Sequence, residues 1–369
     1  MGNTATLSGL ELTKWRRSFV SEYVRDSGFS TYMGTDSTEI IHVVNDLTTD
    51  GYTIRIPLMG RLQGDGVEGN TLLTGAEESL DQYYQDISWK YQRNAVTATK
   101  NEKKKSAVDF MAAARPRLKE WAAEKVKYRI IEAMHKMSGG ELFSVADATA
   151  RNLWAARNVD RVLFGSTQAN YSATHATGLT AIDNTDDKLS PVVGSLAKFM
   201  ARQARPQIRP FKTGTQGREF YVMFCHPLGF RDLKANSIIT AANRDARPRD
   251  VESNPLFQDG DIVYDGVIYR EIPEFYQARQ GSSVNPETTF SNGTIQCGVS
   301  FLCGAQAIGY VNKQEAMPTF KKEDDYGFVE GVGIEFADGI DKLRWNNNAG
   351  GANNYKDVGM VTVYHAAVA

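Results

Sequence analysis

The sequence predicts an α+β fold, in which helices and strands occupy separate stretches of the chain. Alternating apolar and polar residues, the pattern of strands, occur on both sides of a glycine-rich segment at residues 60–75 and again beyond residue 321. Between them, residues 102–137 form one long helical pattern rich in Ala, Lys, Glu and Arg. A chain of 369 residues can form one elaborated unit or two to three subdomains.

The composition is that of an ordinary globular protein, with 41% hydrophobic and 23% charged residues. A net charge of -2 excludes the overall basic balance that is typical of nucleic-acid-binding proteins. Cys225, Cys297 and Cys303 have no zinc-like spacing and are predicted to be buried thiols in a reducing compartment. No apolar run is long enough for a membrane span, and the N-terminus lacks a signal-peptide pattern, so we expect no membrane partner and a cytoplasmic site of assembly.

The first 50 residues contain one apolar stripe at helical spacing, formed by Leu12, Trp15, Phe19 and Tyr23. Such a helix can pack on the core of its own chain, or it can act as an arm that docks on a neighbouring molecule. On the second interpretation Trp15, Phe19 and Tyr23 are the docking residues.

Residues 51–99 are predicted to form an extended hairpin. Ile54 and Ile56 belong to the outgoing strand pattern, Ile87 and Trp89 to the returning one, and five glycines fall between residues 60 and 75. An isolated two-stranded hairpin is only marginally stable in water. We therefore expect this hairpin to lie on another surface.

The helix predicted over residues 102–137 should kink, or begin its longer second half, at Pro116, and it should end before the two glycines at 139–140. A second helix is predicted over residues 147–163, and Ser190 with Pro191 forms a typical helix start. A strand is predicted over residues 220–224.

The rest of the chain is predicted to be strands and loops. A hairpin turn is predicted at residues 264–267, and the polar segment 244–258 is predicted to be a loop. Two strands, at residues 332–336 and 360–364, flank an Asn- and Gly-rich loop at 346–354.

The sequence offers no constellation of catalytic, cofactor-binding or metal-binding residues. Gly64, Gly66 and Gly69 match a dinucleotide-binding spacing, but no strand leads directly into them, and Asp65 and Glu68 would repel phosphate. The five histidines are scattered. Cys225 and His226 are neighbours, which would point to opposite faces of a strand, so both are predicted to be structural.

The order of these parts resembles the Hong Kong 97-type fold of tailed-phage capsid proteins, with its N-arm, E-loop, P-domain spine helix and A-domain. Several stretches resemble one branch of that family, the capsid proteins of phages like the coliphage N-four. Those stretches are residues 66–73, 75–80, 93–96, 114–121, 221–227 and 302–307.

The resemblance implies an N-arm at residues 1–50, an E-loop at 51–99 and a spine helix at 100–145. It further implies a mainly A-domain region at 146–320 and P-domain strands at 321–369. The expected function is a non-enzymatic major capsid protein that forms the hexamers and pentamers of a DNA-filled head. A separate scaffolding protein, a portal and a decoration protein are the expected partners, and packaged DNA would lie on the inner face without sequence-specific contacts. Two alternatives stay open: an encapsulin-like bacterial compartment and a cytosolic hydrolase.

The charges of the hairpin and of the spine are opposite. Residues 60–88 carry six acids and one base, a charge of -5, and residues 102–129 carry nine bases and four acids, a charge of +5. We hypothesise that the acidic hairpin docks on the basic spine of a neighbour. The candidate hairpin contacts are Asp65, Glu68, Glu77, Glu78 and Asp81. The candidate spine contacts are Lys103, Lys104, Lys105, Arg115, Arg117 and Lys119.

The hairpin contains no lysine between residues 60 and 88. Some shells of this fold cross-link an E-loop lysine to an asparagine of a neighbour. The sequence therefore predicts a shell without such a covalent mesh.

Overall fold

The computed structural model describes residues 29–45, 51–60, 62, 64–70, 72–78, 80, 82–105, 110–137, 141–212, 219–245, 262–275, 290–291, 295–324, 326–345 and 355–368. The predicted arm helix with Trp15, Phe19 and Tyr23 lies outside these residues. So do Asp81, the glycines at 139–140, most of the predicted loop at 244–258 and the loop at 346–354.

In the described chain five strands come first, a region of helices and strands follows, and the C-terminal part consists of strands. The helices are α1 (Lys100–Lys105), α2 (Phe110–Met134), α3 (Ala148–Arg157), α4 (His175–Thr180), α5 (Pro191–Gln203), α6 (Pro227–Ala235) and α7 (Ser237–Asp245). The strands are β1 (Met33–Gly34), β2 (Ile41–Asn45), β3 (Thr53–Met59), β4 (Gln82–Ser88), β5 (Lys90–Thr99), β6 (Val162–Phe164), β7 (Phe211–Lys212), β8 (Glu219–Cys225), β9 (Ile262–Tyr264), β10 (Val267–Glu271), β11 (Phe290–Ser291), β12 (Gln296–Cys303), β13 (Ile308–Asp324), β14 (Val329–Lys342), β15 (Arg344–Trp345), β16 (Lys356–Asp357) and β17 (Met360–Ala366).

The first sheet has five strands in the order β1-β2-β13-β14-β5. The long helix α2, which we call the spine, packs on β14 and continues through Pro116. Its buried residues Val126 and Ile130 share a core with Ile334 and Phe336 of β14. The predicted spine helix and the strand at 332–336 are therefore present, and burial of one helical face against the sheet stabilises both.

The second sheet follows the order β6-β17-β12-β8-β10-β9, with β7 beside β8 and β11 beside β12. All seven residues of β17 are buried, which explains the apolar run at the end of the chain. Helix α5 contacts β17, β12 and β10. It begins as predicted, with the Ser190 hydroxyl accepting a hydrogen bond from the Val193 N–H.

The predicted second helix is shorter than expected. It begins at Ala148, capped by Asp147, but it ends at Arg157 rather than at Leu163. The Asn158 side chain donates to the Trp154 carbonyl oxygen at 3.0 Å. Residues 162–164 are β-branched or bulky, and they pair with β17 as a buried strand, so tertiary pairing overrides the helical pattern there.

Strands β3 and β4 form the predicted hairpin, with pairing from Thr53 opposite Ser88 to Met59 opposite Gln82. The predicted returning strand is interrupted at Trp89, which falls between β4 and β5. Strand β5 pairs with β14 and so belongs to the first sheet rather than to the hairpin.

Candidate intersubunit surfaces

The root of the hairpin is seated on the first sheet of its own chain. Ile56, Leu58 and Ile87 are buried in a core with residues of β13, β15 and the segment before β17. Gly309 allows Ile87 to pack closely on β13, because a Cβ atom at this position would lie 2.6 Å from Cδ1 of Ile87. The ring of Tyr83 also meets that of Trp345 edge-on, with 5.2 Å between the centroids. The root is therefore fixed by packing within one molecule.

The outer part of the hairpin exposes large apolar side chains to solvent. Their exposed fractions range from 44% to 80%. They are Met59, Leu62, Leu72, Leu73 and Leu80. Several large exposed apolar side chains on one element are typical of a surface that another molecule covers.

The hairpin acids fall into two groups. Asp65 and Glu68 lie on the exposed loop. Glu77 and Glu78 are also exposed, and both hold the loop together: Gly75 N–H donates to Glu77 Oε2 at 2.6 Å, and Gly64 N–H donates to Glu78 Oε2 at 2.7 Å. Glu78 therefore ties the outgoing side of the loop to the returning side, a role that the sequence did not indicate.

The predicted spine bases are divided in a similar way. Lys103 pairs with Glu330 of β14, and Arg117 pairs with Glu120 at 2.7 Å on the helix surface. Lys104, Lys105 and Arg115 are exposed, and Lys119 is half-buried, with burial lowering the pKa of its amine. The spine therefore presents bases on its surface, although part of its charge is neutralised within the chain.

A further charged surface was missed by the sequence reasoning. Arg202 at the end of α5, with Arg205 and Arg209 beyond it, lines a cleft of about 990 Å³, whose other lining residues include Met59 and Asp65 of the hairpin. We call residues 202–209 the arginine segment. Its backbone is anchored, because Arg205 N–H donates to Asp160 Oδ2 at 2.9 Å and Lys356 Nζ donates to the Arg205 carbonyl oxygen at 3.0 Å. Three arginines within eight residues were the available signal.

A buried ion pair joins β14 of the first sheet to β16, beside Trp154 of α3. Lys342 Nζ is 2.9 Å from Asp357 Oδ2, and the two side chains are 0% and 2% exposed. The rings of Phe143 and Trp154 lie 5.5 and 5.6 Å from the same ammonium group. Burial lowers the pKa of Lys342, while the facing carboxylate of Asp357 acts in the opposite direction.

Four histidines are buried and engaged in structural contacts. His226 Nδ1 accepts from the Leu228 N–H at 3.3 Å and so caps α6, while Ser300 Oγ lies 2.9 Å from His365 Nε2. Burial lowers the pKa of His135 and His226 to about 3 and that of His175 and His365 to about 4.

The three cysteines are free and buried, as predicted. Among the described residues no group of three His, Cys, Asp or Glu side chains is arranged to hold a metal ion. Within the same part of the chain, no helix is both long and apolar enough to cross a membrane.

Comparisons with known proteins agree with this architecture. The sequence model of the family described as phage capsid protein matches residues 3–369. The chain is 26% identical over 378 residues to the major capsid protein of Pseudomonas phage KPP25, covering 99% of this chain and 97% of that protein.

Solved capsids show the same fold. The capsid asymmetric unit of cyanophage Pam1 is 32% identical, with a TM-score of 0.79 and coverage of 94% of this chain and 93% of that chain. The capsid of Ralstonia phage GP4 is 19% identical, with a TM-score of 0.65 and coverage of 92% and 90%, and shows a likeness of fold. The predicted α+β capsid fold of the Hong Kong 97 type is confirmed. The chain therefore belongs to the phage capsid protein family, and its role is that of a phage major capsid protein.

Proposed function

We propose that the chain forms hexamers and pentamers that close into an icosahedral phage head around double-stranded DNA. The observation that carries this proposal is the hairpin, whose root is packed on its own sheet while its outer part exposes five large apolar side chains. Burying those side chains against another copy would stabilise the assembly by about 25 cal/mol per Å² of apolar surface. A contact that joins two different surfaces of identical molecules forms a ring when the rotation between copies closes.

The proposal includes the expected division into N-arm, E-loop, spine, A-domain and C-terminal P-domain strands, and no enzymatic activity. The N-arm residues Trp15, Phe19 and Tyr23 would dock on a neighbour. Scaffolding, portal and decoration proteins would be separate chains, the DNA contacts would be independent of sequence, and assembly would take place in the host cytoplasm. Shells that enclose protein cargo instead of DNA would contradict the phage-head proposal and favour a bacterial compartment.

Within this shell, the acidic hairpin would lie on the spine of a neighbouring copy. The opposite charges of the two regions support this contact, with Asp65 and Glu68 exposed on one side and Lys104, Lys105 and Arg115 exposed on the other. Each exposed pair contributes only about 0–1 kcal/mol, but the contact is repeated around the shell and the charges steer its formation.

The test reverses the charge of two acidic residues that accept no hydrogen bond from the described loop backbone. The variant Asp65→Lys/Glu68→Lys should assemble more slowly, and its assembly should lose much of its dependence on salt. Glu77 and Glu78 are unsuitable for this purpose, because both accept backbone hydrogen bonds of the loop.

The measurement is light scattering with negative-stain electron microscopy at several salt concentrations, on chains co-expressed with the neighbouring genes of the phage. The charge-matched control is Glu141→Lys/Glu219→Lys, which changes two exposed acids outside the hairpin. Unchanged rates and an unchanged salt dependence in the hairpin variant would contradict the proposed contact.

A further inference from the structure

We propose that the outer edge of strand β5 pairs, strand to strand, with the outer part of the hairpin, residues 60–80, of a second copy of the chain. The added segment would extend the first sheet across the boundary between the two molecules. This inference rests on the proposed function, in which the hairpin lies on a neighbouring copy. It names the part of that copy which hydrogen-bonds to the hairpin backbone, next to the lysines of α1.

Strand β5 is an outermost strand of the first sheet. It has ten residues and pairs with β14 on one side, and within the described ranges of the chain no strand pairs with its other side. The remaining outermost strands of the two large sheets are short, with two residues in β1 and three each in β6 and β9. Strand β5 contains no proline, and residues 93–97 are all exposed or half-buried at their partner-free side. A long, accessible edge strand is a template for pairing with another chain.

The backbone groups of alternate residues of β5 point away from the sheet, as they do in any antiparallel pair. The Val96 carbonyl oxygen faces β14, since a Cβ atom at Gly331 of that strand would lie 3.3 Å from it. The backbone groups of Ala95 and Thr97 therefore face outwards. The Ala95 N–H accordingly donates to the side-chain oxygen of Asn94 at 2.9 Å. The Thr97 N–H has no acceptor among the described residues.

The charge of β5 favours the hairpin over the other segments of a second copy. Residues 90–100 carry three bases and no acid, a charge of +3, so two β5 edges would repel each other. Residues 1–28 carry four bases and three acids, a charge of +1, and do not complement the edge. Residues 60–80 carry four acids and one base, a charge of -3. The outer hairpin is therefore the complementary partner.

The outer hairpin also has backbone and apolar side chains to offer. Its described residues from 60 to 80 belong to no helix or strand, and most of them are exposed. Strand addition gains affinity from main-chain hydrogen bonds and specificity from the side chains beside them. Tyr91 and Val96 of β5 are exposed, and they offer apolar contacts to the exposed Leu72 and Leu73 of the hairpin.

The test removes one outward-facing N–H from β5. Thr97→Pro deletes that donor, and the proline ring blocks an approaching strand. We expect this variant to lower the yield of shells at matched expression by about tenfold, because a backbone hydrogen bond is lost at every copy. Thr97→Ala keeps the N–H and should give the wild-type yield. Negative-stain electron microscopy and light scattering on chains co-expressed with the neighbouring phage genes supply the readout.

Urea unfolding of the unassembled subunit separates a lost contact from a lost fold. Thr97→Pro should keep the wild-type urea midpoint, because the deleted N–H has no partner in its own chain. Val96→Pro should lower the midpoint, because its N–H faces β14. Equal midpoints for Val96→Pro and the wild type would overturn the assigned direction of the edge.

Cross-linking identifies the partner and remains decisive even if a proline variant fails to fold. Thr97→Cys is combined in turn with Leu62→Cys, Leu72→Cys and Leu80→Cys, three exposed positions along the hairpin, and the shells are oxidised. At least one combination should give disulfide-linked chains on non-reducing gels, because the native cysteines are buried and do not compete. Linked chains with Thr97→Cys alone would indicate pairing between two β5 edges and would overturn the inference.

The outcomes distinguish this inference from the proposed function. If Asp65→Lys/Glu68→Lys weakens assembly, but Thr97→Pro assembles normally and no hairpin cross-link forms, the hairpin contact stands and its pairing with β5 is wrong. If the charge reversal has no effect either, both are wrong. Loss of shells in Thr97→Pro at an unchanged urea midpoint, together with a cross-link from Thr97→Cys to the hairpin, supports the inference.

Discussion

The buried pair between Lys342 and Asp357 should be among the most sensitive points of the fold. Replacing Lys342 by Met keeps much of the side-chain volume but leaves the Asp357 carboxylate almost fully buried, with Trp154 Nε1 at 3.4 Å as a remaining donor. Breaking one partner of a buried pair typically costs about 3–5 kcal/mol, because the other charge loses its compensation. We expect Lys342→Met to lower the free energy of unfolding of the subunit by this amount.

The measurement is urea unfolding followed by tryptophan fluorescence, at subunit concentrations too low for assembly. The double variant Lys342→Met/Asp357→Leu removes both charges, and it should recover most of the lost free energy, since an apolar pair of similar volume is tolerated at such sites. A change below about 1 kcal/mol in the single variant would refute the reasoning about charge burial. A double variant as unstable as the single one would show that shape, rather than charge, controls this position.

Three further predictions concern packing at the hairpin root, covalent cross-links in the shell and stability at acidic pH. Gly309→Ala should destabilise the subunit by about 1–3 kcal/mol in urea unfolding, and Ile87→Val, which deletes the clashing Cδ1 atom, should relieve part of the loss. Boiled shells should give only monomer bands on denaturing gels, since residues 60–88 lack lysine, and a ladder would contradict this. The four buried histidines have lowered pKa values, so the native state binds fewer protons than the unfolded state below pH 6.5. The free energy of unfolding should be greatest above pH 6.5 and should fall by about 1.4 kcal/mol per histidine and pH unit towards pH 4. An unchanged urea midpoint between pH 7 and pH 5 would contradict this.

The sequence correctly predicted those elements that depend mainly on residues close together in the chain. The cap of Ser190 and the turn at Asp265 and Gly266 appear where expected, the turn with positive φ values of 48° and 72°. Both depend on a few neighbouring residues, so one sequence is enough to find them. The strands β3 and β17 were predicted for the same reason, because alternation or an apolar run marks burial directly.

What the sequence could not show depends on contacts between distant segments. The end of α3 was misplaced because β6 is stabilised by pairing with β17, about 200 residues away. The bond of Glu78 to Gly64 had no signal in the sequence, because it exists only when the loop folds back on itself. Likewise, Lys342 and Asp357 carry no signal of mutual burial, since their pairing arises only when β14 and β16 meet α3.

The packing of the hairpin root against Gly309 also fixes the direction in which the hairpin extends. A seven-residue strand such as β3 is roughly 24 Å long, so a tilt of 5° at the root displaces its far end by about 2 Å. If the hairpin contacts a neighbouring copy as proposed, side chains at the root, among them Ile87, set the angle between the two copies. Substitutions there would change the curvature of the shell, and hence its diameter, while leaving the contacting surfaces themselves intact.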